Sequence, residues 1–310
     1  MVINCYYELP GNEWNIPRYF EEFYQSLKRH YPEHTINQVS TFGLPGRDPG
    51  SPCAKYNHAH MIIENDETKK YYLVTFWDKM NCLGTGTGWD LENCVGILTS
   101  SGVHQDDFYY KPLEGDFTPF SYLTTRTDTD KMIYSLRDMD NSQRIIPEKP
   151  MFKGYLYLFR EHLSNDNRFD VKKTGDGTYL HYEEYVKYLN QFAINMSLNG
   201  AGEICFRDME ILGLGTALFR PKLTTKFHNP LIPDYHYISV DYDDLKGIMP
   251  INKFYDELSN RIYDRWVEVI KDRDFIDEVA KNGKKWFDEN VPKEKQADIL
   301  LKIIDFNKLL

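Results

Sequence analysis

The sequence predicts an α/β protein of two α/β domains facing a cleft, with helices at its C-terminal end, and three observations lead there. Short apolar runs of strand length alternate with segments of helical period through the first 150 residues and again after Met151. At 310 residues the chain is long for a single core, so two domains are expected, with a ligand in the cleft between them. From Asn252 onward the apolar residues recur at helical spacing only.

In the first domain, residues 1–146, the strands are read at Val2–Tyr7, Thr35–Val39, Ala59–Ile63, Tyr71–Trp77 and Val95–Ser100. A helix around Ile16–His30 follows the first of them, and interleaving of this kind predicts a largely parallel sheet. Gln105–Asp130 has no clear period and reads as loop, and Ser142–Pro150, with Pro147 and Pro150, reads as the linker. The second domain, residues 147–251, starts with the strand-like MFKGYLYLFR, then Phe169–Lys172, a helix over Tyr182–Asn190, the strand Phe192–Leu198, a helix after Gly202, and strands at Thr216–Phe219 and Tyr237–Val240. Residues 252–310 repeat Phe254, Leu258, Ile262, Trp266, then Phe275, Val279 and Trp286, the pattern of helices packing on the domains.

Composition narrows the function. The chain is 41% hydrophobic and 15% aromatic, without any run approaching the ~20 apolar residues of a membrane span. The beginning, MVINCYYELPGNEW, reads as a first strand and not a signal peptide, so a soluble cytoplasmic protein is expected. Five widely spaced cysteines form no C-x-x-C pair and are expected to be free thiols. A net charge of −10 opposes broad attraction to nucleic acid.

The segment Phe192–Val240 carries the most functional information. An apolar strand runs into Asn199-Gly200-Ala201-Gly202-Glu203 and then a helix. Gly200 and Gly202 permit close backbone approach, and the first amides of the helix are suited to an anion such as a diphosphate. An ordinary tight turn gives the same pattern, and G-x-G-x-x-G is not met. Arg207 falls four residues after Glu203 on the expected helix and Glu210 three beyond, which makes either a binding row or an intrahelical ion-pair row. Arg160, at the end of FKGYLYLFR, is a second guanidinium for a diphosphate or a plain strand-end cation. Asp78, after the strand Tyr71–Trp77, is the candidate general base, with Glu13 and His104 as rivals and a helix cap as its structural alternative.

His58 and His60 share a strand face but lack a third ligand, so no metal is assigned. Gly84–Gly88 lacks the Lys-Ser/Thr ending of a P-loop, and no D-x-D follows a suitable strand.

FKGYLYLFR, FAINMSLNGAGEICFRDMEILGLGTALFR and IPDYHYISVDYDDL, in that order, resemble the C-terminal half of GT-B glycosyltransferases, most of all the capsule-associated and protein O-glucosyltransferase-like group. The elements carrying the likeness are Gly200, Arg207, Gly215-Thr216, Pro233-Asp234-Tyr235-His236-Tyr237 and Asp244-Leu245, within Phe152–Leu245. The resemblance implies two Rossmann-like domains in a GT-B-like arrangement, a nucleotide-sugar donor bound mainly by the second, and transfer to an acceptor hydroxyl of a glycan, lipid or protein without a metal or other cofactor. Read with the positions of the residues, it leads to Arg160 and Arg207 for the diphosphate, Gly200 and Gly202 for backbone approach and Glu203 for the sugar or ribose; Asp78, outside the stretch that carries the likeness, is assigned as the base from its place after a strand alone. The spacing Glu203 to Glu210 is one residue short of the paired-glutamate pattern of many retaining enzymes. Two other readings stand beside it: a non-catalytic nucleotide-sugar or carbohydrate-binding protein, and a glycosyltransferase acting on hydroxylated DNA bases, with Tyr109, Tyr110, Phe117 and Phe120 as stacking candidates.

Overall fold

The computed structural model describes residues 1–10, 16–39, 59–76, 92–99, 103–106, 109–112, 117–119, 127–154, 158–173, 182–199, 203–224, 228–245 and 247–310. The first unit holds a six-stranded sheet in the order β2 (Thr35–Val39), β1 (Val2–Tyr6), β3 (His60–Asn65), β4 (Tyr71–Thr75), β5 (Cys94–Thr99), β8 (Phe117–Pro119). Contrary to the largely parallel sheet expected, it is mixed: β1–β2, β4–β5 and β5–β8 are parallel, whereas β1–β3 and β3–β4 are antiparallel. The reason lies in the connections. Helix α1 (Ile16–His30) carries the chain from β1 over to a parallel β2, but only Asp66–Lys70 separates β3 from β4, and so short a turn reverses the chain. The stretch expected to be loop, Gln105–Asp130, is corrected at its start: β6 (Val103–Asp106), which runs into it, and β7 (Tyr109–Pro112) pair as an antiparallel ribbon.

Helix α1 puts Tyr19, Phe20, Phe23 and Leu27 on one face, at the spacing of a single helical stripe, against Ile3, Cys5, Met61 and Val74 of the sheet. This core is completed from the far end of the chain. Helix α8 (Lys293–Ile303) and the following turn contribute Ala297, Leu300, Ile304, Phe306 and Leu309. Polar groups fasten the return: Asn65 Nδ2 and Thr68 Oγ1 donate to the Leu309 carbonyl at 3.0 and 2.6 Å, and the Tyr72 hydroxyl donates to that of Asp305 at 3.1 Å.

The second unit is wholly parallel. β9 (Met151–Gly154) pairs with β10 (Asp170–Lys173) across helix α3 (Leu158–Ser164). After helix α4 (Tyr182–Leu189), β11 (Ile194–Met196) pairs with β12 (Ala217–Pro221) across helix α5 (Phe206–Leu214), and β12 pairs with β13 (Ile238–Val240). β10-β9 and β11-β12-β13 are two separate ladders, and β9 lies against β11, which sets the ladders side by side in the order β10-β9-β11-β12-β13. The chain therefore winds outward in both directions from the β9/β11 boundary, which makes that boundary the switch point of the unit.

Side chains of β12 alternate between two cores. Ala217 and Phe219 face helices α6 (Ile251–Val269) and α7 (Arg273–Asn290), where Trp266 meets Phe219 edge-on at 5.2 Å. Leu218 faces the other way, among Met209, Leu212 and Leu214 of α5 and Val186 of α4. Helix α2 (Thr127–Leu136) adds Ile133 to that second core, so its packing partners are α4 and α5.

Ser142–Pro150 is firmly docked. The buried Arg144 guanidinium donates to the carbonyls of Asn190, Leu214 and Gly215 and to the Asn190 side chain, and Ile145 bridges to Phe192. Burial lowers the Arg144 pKa to about 10, against a partial offset from Asp140. Among the described residues, no helix is long and apolar enough to cross a membrane.

Because Leu300 is fully buried in the first unit's core, Leu300→Ala is expected to lower stability by about 2–5 kcal/mol. Urea unfolding followed by tyrosine and tryptophan fluorescence checks this; an unchanged midpoint would detach α8 from that core.

Candidate active site at the β11–α5 turn

In parallel sheets of this kind, ligands gather beyond the carboxyl ends of the strands flanking the switch point. Here that place is bounded by the ends of β9, β11 and β12 and by the start of α5. The residues that hold it are mostly buried and charged.

Arg220 is the organising group. Two residues beyond Leu218 on β12, it falls on the α5 side of the sheet and is fully buried. Its Nη1 lies 2.8 Å from Asp208 Oδ1, and its Nη2 donates to Asn199 Oδ1 and to the Glu203 carbonyl, each at 2.6 Å. One guanidinium therefore ties the end of β11, the turn after it and the first turn of α5 to the central strand. Burial by itself pulls the Arg220 pKa down, but Asp208 and Glu203 outweigh it and hold the group above the ordinary guanidinium value. Sequence reasoning passed over Arg220. The available signal was a lone cation inside the apolar run ALFRP, where a buried charge requires a carboxylate partner.

Asp208 works at both ends. Its Oδ2 accepts from the Cys205 backbone N–H at 2.6 Å, closing the entry to α5, and its charge lies at the positive end of the helix. This fixes the helix start at Phe206, so Glu203 lies in the turn ahead of it. The expected row with Glu203 and Arg207 on one helical face is corrected accordingly. Glu203 Oε1 instead accepts from the Thr224 hydroxyl at 2.7 Å and from the Thr224 backbone N–H, holding the segment after β12 against the turn.

Arg207, on the first turn of α5, donates from Nε to the Tyr185 hydroxyl at 2.6 Å, with its guanidinium carbon 5.9 Å from that ring's centre. Its Nη1 is enclosed and has no hydrogen-bond partner. Burial opposes its charge, but Tyr185, Cys205 and Glu210 more than compensate and raise its pKa. Burial also raises the thiol of the neighbouring Cys205, whose sulfur lies 3.5 Å from Ser197 Oγ.

Arg160 is not at a strand end, as the sequence suggested, but on α3. The β9–β10 ladder ends at Gly154, and the crossover to a parallel strand runs through a helix whose Phe159 and Leu163, one turn apart, point inward. From there Arg160 Nη2 donates to the Leu198 carbonyl at 2.5 Å. It links the crossover after β9 to the end of β11, across the switch point.

The structure thus brings together Arg160, Glu203 and Arg207. Gly200 and Gly202 lie outside the described residues, as do Asp78, Glu13 and His58. His104 is on β6, and its side chain is outside them too. His60 is buried on β3, and among the described residues no group of three or more His, Cys, Asp or Glu could hold a metal ion. The P-x-x-H-Y stretch shapes the approach to β13. Asp234, at φ 55°, accepts from the Ser239 backbone N–H at 2.9 Å, and the Tyr237 hydroxyl accepts from that of Leu223 at 3.1 Å. Gly215 caps α5 at φ 71°, in the left-handed region that favours glycine. Asp244 holds Arg261 through both oxygens at 2.6 and 2.8 Å.

No protein-family model matches the chain, and no curated protein matches it.

Replacing Arg220 by Met leaves the Asp208 carboxylate buried without its partner. The expected cost is about 3–5 kcal/mol in urea unfolding. Asp208→Asn combined with Arg220→Met is expected to recover part of that loss, and full additivity of the two single effects would contradict the pairing.

Proposed function

We infer that the protein is a glycosyltransferase that moves a sugar from a nucleotide-sugar donor to an acceptor hydroxyl of a glycan, lipid or protein, with the donor held by the second unit. The observation that carries this reading is the conjunction at the switch point. A strand-to-helix turn, fixed from below by the Arg220–Asp208 pair, has two buried guanidinium groups, Arg160 and Arg207, at the same end of the sheet.

Breaking the bond between the anomeric carbon and the diphosphate oxygen leaves negative charge on the departing nucleoside diphosphate. Guanidinium groups already held in place stabilise that charge without reorganising during the reaction. Arg207 suits this role: Tyr185 positions its Nε, and its enclosed Nη1 retains a donor that a phosphate oxygen would satisfy. Arg160, engaged with Leu198, sets the distance between the two sides of the crevice. Glu203, anchored to Thr224, holds the rim. On this reading Gly200 and Gly202 provide the close backbone approach, and Asp78 in the first unit takes the acceptor proton.

The first test is thermal unfolding with a panel of nucleoside diphosphates and their sugars. A donor at 100 times its dissociation constant is expected to stabilise the fold by about 2.7 kcal/mol. Arg207→Ala is expected to unfold normally in the absence of ligand, to lose that stabilisation and to lose transfer. Normal turnover by the variant would remove Arg207 from the site. Binding without transfer to any acceptor would favour a nucleotide-sugar-binding protein, and no binding at all would overturn the donor assignment.

A further inference from the structure

A cavity away from the β11–α5 turn lies between the two units. It encloses about 640 Å³ and is lined from the first unit by Arg18 and Tyr19 of α1 and from the second by Lys131 and Tyr134 of α2 and Phe287 of α7, with Lys293 at the start of α8. That volume suits a small organic ligand.

Its charges are out of balance. Glu21 is engaged by the Tyr7 hydroxyl at 2.5 Å and by Gln25 Nε2 at 2.8 Å, and Lys293 lies 3.6 Å from both Glu22 and Glu294. Arg18 and Lys131, by contrast, form no ion pair or hydrogen bond among the described residues, and Arg18 Nε is enclosed without a partner. Arg18 is also in the first turn of the 15-residue helix α1, and that turn holds no acidic residue. A cation there adds to the positive end of the helix, an arrangement that is unfavourable until an anion joins it. Among the described residues the rest of the wall is apolar: the Tyr19 ring, held by its hydroxyl's 2.9 Å bond to the Val291 carbonyl, together with Phe287, Tyr134, Pro10 and Pro292.

We propose that this cavity binds a small ligand carrying a phosphate or carboxylate on a ring body, the anion between Arg18 and Lys131 and the ring against Tyr19, Tyr134 and Phe287. The site joins the two units, because Arg18 belongs to one and Lys131 to the other. It stands on the cavity's own charges and shape and does not rest on glycosyl transfer.

Isothermal titration with phenyl phosphate tests it, with phenol and inorganic phosphate as the two halves of the probe. Phenyl phosphate is expected to saturate one site per chain and to bind more tightly than either half. Arg18→Gln and Lys131→Gln are each expected to weaken it roughly tenfold, the worth of one charge-assisted hydrogen bond. Arg18→Lys should retain more affinity than Arg18→Gln, and Arg207→Ala should leave it unchanged, which separates this site from the donor site. The two Gln variants lie on different units, so a folding defect in one leaves the other to decide. Absence of saturable binding by the unaltered protein, or an affinity unchanged from that of the unaltered protein in both Gln variants, would overturn the proposal; phosphate binding as tightly as phenyl phosphate would overturn the ring contact.

Discussion

The second unit depends on a single buried ion pair. Arg220 comes from β12, the middle strand of the β11-β12-β13 ladder, Asp208 from the first turn of α5, and neither side chain is exposed to solvent. Burying two charges is costly, and geometry has to recover the cost. Here it does so through the bonds to Asn199 and the Glu203 carbonyl on one side and to the Cys205 amide on the other. Those contacts fall on Asn199, Glu203 and Cys205, so the pair fixes the described residues on both sides of the glycines between β11 and α5, where a ligand is expected. An apolar pair of similar size would pack as well, but it would leave those backbone groups without partners.

A second constraint is the return of the chain. After α7 completes the second unit, Val291 receives the Tyr19 hydroxyl and α8 enters the core of the first. Phe206, the first residue of α5, packs against both the first unit's core and that formed by α2, α4 and α5. The helix that frames the candidate site is therefore in contact with both units, and a change at the turn is mechanically connected to the surface between them. The cavity holding Arg18 and Lys131 lies on that same boundary.

Much of this was legible in the amino-acid order, for reasons that differ by element. Helix α1 was readable to its ends because one apolar stripe runs its whole length, α6 because Phe254, Leu258, Ile262 and Trp266 keep one period, and α7 because Phe275, Val279 and Trp286 keep another. The strand Ile194–Met196 and the helix Phe206–Leu214 were readable because an apolar run and a helical period stand on either side of the glycines. Strand direction in the first sheet was not, since alternation describes a strand's faces and not its neighbour's direction. Nor was the destination of α8: a helical stripe shows that a face is apolar but not which core receives it. Arg160 was misplaced because LYLFR suits a strand as well as a helix, and only the parallel partner β10 decides between them. Glu203 was placed on a helix that Asp208 starts three residues later, a capping effect that spacing alone does not reveal.

The claim that the β11–α5 turn is a nucleoside-diphosphate site is tested most directly by hydrogen exchange of the backbone amides, with and without a nucleoside diphosphate. Slower exchange confined to the segment from Ser197 to Glu210 is expected, with loss of that protection in a variant lacking the Arg207 guanidinium. Protection located elsewhere, or none at a nucleotide concentration that saturates binding, would contradict it.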